Sequence, residues 1–135
     1  MVLNALVEHV PLISIVDDDD SVRESLDGLL RSVGFAVKAF ASAEEFLNSD
    51  HLRDIDCLLL DVRLPGMNGI ELHRHLVAHH CEIPVIFITA HGSEEGVRSQ
   101  ALQNGAVDYL IKPLREDMVL NAIHKALSAK RQTPG

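Results

Sequence analysis

Apolar runs of strand length alternate five times with segments of helical period along this chain, and that alternation leaves few folds open. The runs place strands at residues 12–17, 35–40, 56–61, 84–89 and 107–111. Cys57-Leu-Leu-Leu60 is apolar at every position instead of at every second one, the mark of a strand covered on both faces. Short connections between strands and helices predict an α/β protein whose parallel sheet carries right-handed crossovers on both sides.

The helical segments carry their own start and stop signals. Ser21-Val-Arg-Glu24 reads as a capping box, followed by Val22, Leu26, Leu29, Leu30 and Val33 on one face and Gly34 as the stop. Ser42-Ala-Glu-Glu45 repeats the box before Phe46 and Leu47. A third helix is expected from Gly69 through His80 with Ile70, Leu72, Leu76 and Val77 inward, and a fourth from near Ser93 to Gly105. The fifth should run from about Arg115 to Ala129 and bury Met118, Val119, Ala122, Ile123 and Leu127. Before the first strand, Leu3, Leu6, Val7 and Val10 fall at helical spacing, which fits either a short amphipathic turn or a frayed terminus.

With 135 residues, 47% of them hydrophobic, the chain makes one domain with a core that needs no covalent staples. Nothing approaches the ~18 uninterrupted apolar residues of a membrane span, and the start has no basic region, so a cytoplasmic location is the default expectation. Cys57 and Cys81 share no motif and read as free thiols. A net charge of −8 disfavours direct binding of nucleic acid, and no membrane association is expected.

Four of the apolar runs end in polar groups. Asp17 and Asp18 follow the first, Asp61 the third, Thr89 the fourth and Lys112 the fifth. In an open parallel sheet the carboxyl ends of the strands share one edge, so these groups should gather there. Carboxylates ~5 Å apart repel by roughly 3 kcal/mol per pair at an effective dielectric near 20. A hard divalent cation removes the repulsion, and Mg2+ (or Mn2+) suits oxygen donors better than zinc or copper. Asp61, alone at its strand end, is the candidate nucleophile for a phosphoryl group, with Lys112 supplying positive charge and Thr89 a hydroxyl. A backbone carbonyl just past Asp61, at Arg63, could add a metal ligand. His75 and His79 stand at i, i+4 beside His80, but nothing in the sequence completes a zinc site around them.

At Ile15-Val-Asp-Asp18, Asp61-Val-Arg-Leu-Pro-Gly-Met-Asn-Gly69, Ile88-Thr-Ala90, Gly105-Ala106 and Lys112-Pro113 the chain resembles the receiver domain of two-component response regulators. Ser21-Val-Arg-Glu-Ser-Leu26, Phe40-Ala-Ser-Ala-Glu-Glu-Phe-Leu47 and Thr89-Ala-His-Gly92 further resemble the FixJ-like branch, whose members usually carry a DNA-binding output domain. The resemblance implies a flavodoxin-like (βα)5 three-layer sandwich with a five-stranded sheet of order 2-1-3-4-5, residues 12–130 forming the receiver between an extension (1–11) and a tail (131–135). It also implies a phosphoacceptor at Asp61, metal-binding acids at Asp17 and Asp18, conformational sensors at Thr89 and Lys112, and a cis peptide at Lys112–Pro113.

By the same resemblance, a sensor histidine kinase supplies the phosphoryl group, which backbone groups of Val62, Arg63 and Ala90 bind. Phosphorylation would pull on Thr89, let Tyr109 move in from outside and remodel the face of the fourth helix, fifth strand and fifth helix, with homodimerisation as one outcome. On the residues alone, Tyr109 fits equally a core-edge aromatic with its hydroxyl in water. Arg63 and His91 flank the acceptor and are candidates for tuning hydrolysis; a solvated loop histidine is the other reading of His91. A haloacid-dehalogenase-like phosphohydrolase is the competing class, but it needs an acid two residues after its nucleophile, where this chain has Arg63. Leu114 departs from the aromatic that often follows the Lys-Pro pair in the family, and Gly96 should weaken its helix by ~1 kcal/mol relative to alanine.

Overall fold

The computed structural model describes residues 10–90 and 95–132. Within them β1 (Leu12–Val16), β2 (Ala36–Phe40), β3 (Cys57–Asp61), β4 (Val85–Thr89) and β5 (Asp108–Ile111) alternate with α1 (Asp20–Ser32), α2 (Ala43–Leu47), α3 (Gly69–Ala78), α4 (Glu95–Gln103) and α5 (Glu116–Gln132). The sheet is parallel throughout, in the order β2-β1-β3-β4-β5, as expected. One 3-10 turn, Leu52–Asp54, precedes β3. No described helix is long and apolar enough to cross a membrane.

Two cores sandwich the sheet because each strand sends successive side chains to opposite faces. Leu58, Leu60, Phe87 and Tyr109 pack on one side with Phe46 of α2, Leu72 and Leu76 of α3 and Ala101 of α4. Leu59, Ile86, Ile88 and Leu110 pack on the other with Leu26 and Leu30 of α1 and Val119 and Ile123 of α5. Each fully buried Leu, Ile or Phe is worth about 1.5–3 kcal/mol relative to exposure, so the unbroken apolar strands of the sequence are the main source of stability. Cys57 is buried and Cys81 half-buried, both as free thiols.

Several helix details differ from expectation. Asp19, not Ser21, caps α1, its side chain accepting from the amides of Ser21 and Val22 at 2.8 and 3.3 Å. Ser42 does cap α2, through the Glu45 amide at 3.1 Å. α3 opens with a reciprocal capping box between Asn68 and Glu71, at 2.9 Å in each direction. Expected to be inward, Val33, Val77 and Met118 are exposed. Val33 is the C-cap of α1, where the helical period stops. Val77 and Met118 each adjoin a member of the buried stripe, Leu76 or Val119, and one helical residue turns the side chain by about 100° away from it. His73 is buried in α3 instead. α5 runs past Ala129 to Gln132, and the expected start of the fourth helix near Ser93 lies outside the described residues, as do Leu3, Leu6 and Val7.

Helices α1, α3 and α4 end alike. After α1 the Gly34 amide donates to Arg31 O and the Phe35 amide to Leu30 O, with Gly34 at φ 99°; after α4, Gly105 (φ 104°) and Ala106 do the same to Leu102 O and Ala101 O. This is the paired C-terminal motif that favours glycine. At the end of α3 the pattern recurs with His80 in the left-handed position, at φ 56°.

Candidate functional site

Strand register decides where the polar strand ends meet. Val16 pairs with Leu60, Asp61 with Ile88, and Thr89 with Ile111. Asp17 and Asp61 therefore end level, Thr89 stands one residue further along its strand and Lys112 one further again. Parity then sorts the faces: Asp17, Asp61 and Lys112 continue the series of Ile15, Leu59 and Leu110 on the α1/α5 side, whereas Thr89 continues that of Phe87 and shares its face with Tyr109.

The contacts agree. Lys112 Nζ donates to Asp17 Oδ2 at 2.8 Å and to Asp61 Oδ2 at 3.4 Å, with Asp17 fully buried and Asp61 5% exposed. Asp18 is exposed, and one oxygen from each of Asp17, Asp18 and Asp61 lies within 4.8 Å of the others. The four aspartates in the run divide their work. Asp19 is committed to the N-cap and Asp20 pairs with Arg23, which leaves Asp17 and Asp18 for the cluster. Arg23 also donates to the main-chain oxygen of Asp17 at 2.7 Å, tying the turn between β1 and α1 to the helix.

Electrostatics follow from this packing. Burial raises the Asp61 carboxyl to about 6 from an ordinary 3.8; the charge of Asp17 pushes the same way, while Lys112 and the Arg63 amide oppose it. Burial alone would lower Lys112, but the hydrogen bond and charge of Asp17, followed by those of Asp61, outweigh it and raise its pKa. Lys112 therefore stays an ammonium at neutral pH. The donor set is three carboxylates with no thiolate or imidazole, which fits a hard, oxygen-preferring divalent cation.

The loop after Asp61 is built around a close approach. The Gly69 amide donates to Val62 O at 2.9 Å, and a Cβ at Gly69 would lie 2.1 Å from Asp61 O, so only glycine lets α3 start against the backbone that carries Asp61. The Arg63 amide donates to Asp61 Oδ1 at 3.2 Å, and the Arg63 side chain is exposed. The Val62 amide donates to Ile88 O at 3.2 Å and is engaged in the sheet. Thr89 is buried at the end of β4 and Ala90 is exposed beside it. The Lys112–Pro113 peptide is cis.

Tyr109 departs from the reading of a core-edge aromatic with its hydroxyl in water. It lies inward, 4% exposed, and packs against Phe87 at a centroid distance of 6.2 Å. It pairs in register with Phe87, and strand parity puts both rings on the same covered face of the sheet. His91 lies outside the described residues. His75 and His79 stack at 4.1 Å, with His79 Nδ1 2.9 Å from His75 O. Sequence reasoning passed over His73, whose ring meets Phe87 edge-on at 5.4 Å; burial lowers its pKa. It also passed over Arg23 and Glu44, whose contacts depend on tertiary placement.

Comparisons with known proteins fit this geometry. A family model described as the response regulator receiver domain matches residues 13–124. Response regulator protein TodT of Pseudomonas putida is 41% identical over 130 residues, 96% of this chain and 57% of the relative. Nodulation protein W of Bradyrhizobium diazoefficiens is 43% identical over 121 residues, 90% of this chain and 53% of the relative. The chain thus spans a little over half the length of these curated relatives. Among solved structures, response regulator StyR gives a TM-score of 0.84 at 44% identity, covering 92% of this chain and 63% of that one. FixJ-N gives 0.79 at 36% identity, covering 95% and 99%.

Proposed function

This chain belongs to the response regulator receiver domain family, and from that premise we propose that Asp61 accepts a phosphoryl group from the phosphohistidine of a sensor kinase and that the acyl phosphate switches the domain. The supporting observation is the convergence of Asp17, Asp18 and Asp61 within 4.8 Å, with Lys112 Nζ bridging two of them.

Without a cation, burial raises the Asp61 carboxyl to about 6, so it is largely ionised at neutral pH and available as a nucleophile. Its oxygen bonds to phosphorus as the phosphorus–nitrogen bond to the donor breaks, the imidazole leaving with a proton. Asp17, Asp18 and Asp61, with a carbonyl of Arg63, would hold Mg2+ (or Mn2+), which when bound would neutralise charge on the transferred group. Lys112 holds positive charge against the developing phosphate, and the backbone amides of Arg63 and Ala90 receive its oxygens once Asp61 Oδ1 no longer occupies the former. Thr89 turns toward the group, and because Tyr109 shares its face of the sheet the ring is placed to register the change. Arg63 and His91 tune the lifetime of the acyl phosphate.

The kinase seats on the groove between α1 and the start of α5, lined by Ser21, Val22, Leu29, Pro113 and Leu114 and continuous with Lys112. The output is a change on the face of α4, β5 and α5, which pairs two copies. The full protein acts in transcription through a further domain, in the cytoplasm. Incubation with magnesium and a small phosphodonor, followed by mass-spectrometric mapping, should give one acyl phosphate, on Asp61, and none in Asp61→Asn. Modification elsewhere, or sustained turnover of a phosphomonoester, would overturn the reading.

A further inference from the structure

Only some of the loop between Asp61 and α3 is held by its own ends. At one end Arg63 and Val62 bond to Asp61 Oδ1 and Ile88 O; at the other Asn68 forms the capping box of α3. Between them Pro65 and Gly66 are exposed. Here a carboxylate from another element reaches in: Glu44 of α2 accepts from the Met67 amide at 2.8 Å. Of the adjacent acids in α2, Glu45 faces its own cap, 3.5 Å from Ser42 Oγ, and Glu44 alone of the two is turned to the loop. Gly66 makes the room. Its φ is 75°, and a Cβ there would lie 2.7 Å from Glu44 Oε2.

Accepting the phosphoacceptor reading of Asp61, we infer that Glu44 is a positioning residue for it: by fixing Met67 it holds the loop that presents the Arg63 backbone, and so sets cation affinity and the rate of phosphorylation. A carboxylate suits the task because a charged acceptor makes the stronger bond to an amide, and that bond lowers the pKa of Glu44, keeping it ionised. Without it the loop regains conformational freedom, and displacement of a positioned group by even ~1 Å is enough to slow a reaction.

The test uses the full chain as wild type, Glu44→Ala and Glu44→Gln, none of which alters an acid of the cluster. Three quantities are read: hydrogen exchange of the Met67 amide without metal, the Mg2+ dissociation constant, and acyl-phosphate formation from a small phosphodonor. In Glu44→Ala, Met67 exchange should rise, Mg2+ binding should weaken roughly threefold or more, and phosphorylation should slow in proportion. Glu44→Gln, which keeps an acceptor but a weaker, neutral one, should fall between wild type and Glu44→Ala in each. Faster exchange with Mg2+ affinity and phosphorylation unchanged overturns the inference, since the bond would then be structural only. Equal losses in both variants overturn it too, because restoring an acceptor for the Met67 amide would then restore nothing. A wild type that takes no phosphoryl group refutes the functional reading separately, and the Mg2+ titration still decides the role of Glu44.

Discussion

Asp61→Asn should make the metal-free chain more stable at neutral pH. The folded chain holds this carboxyl's pKa at about 6 against an ordinary 3.8, through burial first and the charge of Asp17 second. A raised folded pKa means that the unfolded chain gives up its proton first as pH rises. Below about pH 4 both states are protonated and nothing is lost; stability falls between about 4 and 6 and is fully forfeited above that. A shift of about two units at ~1.4 kcal/mol each gives a loss near 3 kcal/mol. Asparagine keeps the shape without the charge, so it should recover up to about 3 kcal/mol at neutral pH and little at pH 4, or about 10 °C in Tm for a chain of this size. Urea denaturation in a chelator at acid and neutral pH measures both arms. Added magnesium should then stabilise wild type and leave the variant alone, narrowing the gap. A variant no more stable than wild type at neutral pH, or equally favoured at both, refutes the electrostatic reasoning.

Gly69→Ala should destabilise by about 1–3 kcal/mol and impair phosphorylation, because its methyl would meet the carbonyl of Asp61; denaturation and phosphodonor assays that both match wild type would contradict the close approach. His73 has a lowered pKa, so the stability it allows is present above 6.5 and is lost as pH falls below it; His73→Phe should remove that component of the acid slope in denaturation measured between about pH 5 and 7. His80→Gly should add up to ~1 kcal/mol by relieving the left-handed residue after α3, read as a higher Tm. Asp19→Ala should cost ~1 kcal/mol by removing the cap of α1, whereas Ser21→Ala should cost less, the reverse of what the sequence pattern suggests.

The sheet was legible because β3 and β4 are apolar at every position up to a polar last residue, and burial on both faces sets the apolar part of that pattern. Asp17, Asp61 and Lys112 could be brought together on paper for the same reason: parallel strands align their carboxyl ends. Helix faces were harder. Period places Leu26 and Ile123 well, but Val77 and Met118 lie one step from the buried stripe, and a step of one residue is what pattern reading resolves worst. The caps at Asp19 and Asn68 show local chemistry offering rival solutions: Ser21 and Asp19 both have the right side chains, and the start of the helix chooses. The inward pose of Tyr109 and the reach of Glu44 and Arg23 depend on which elements become neighbours in three dimensions.

The one-residue stagger from β3 to β4 to β5 limits how such a chain can drift. Inserting or deleting a single position inside β3, β4 or β5 would swing the terminal group to the opposite layer, emptying the site while leaving composition almost untouched. Length variation is therefore better accommodated in the connections than inside these strands, and relatives that keep the chemistry should differ in size there.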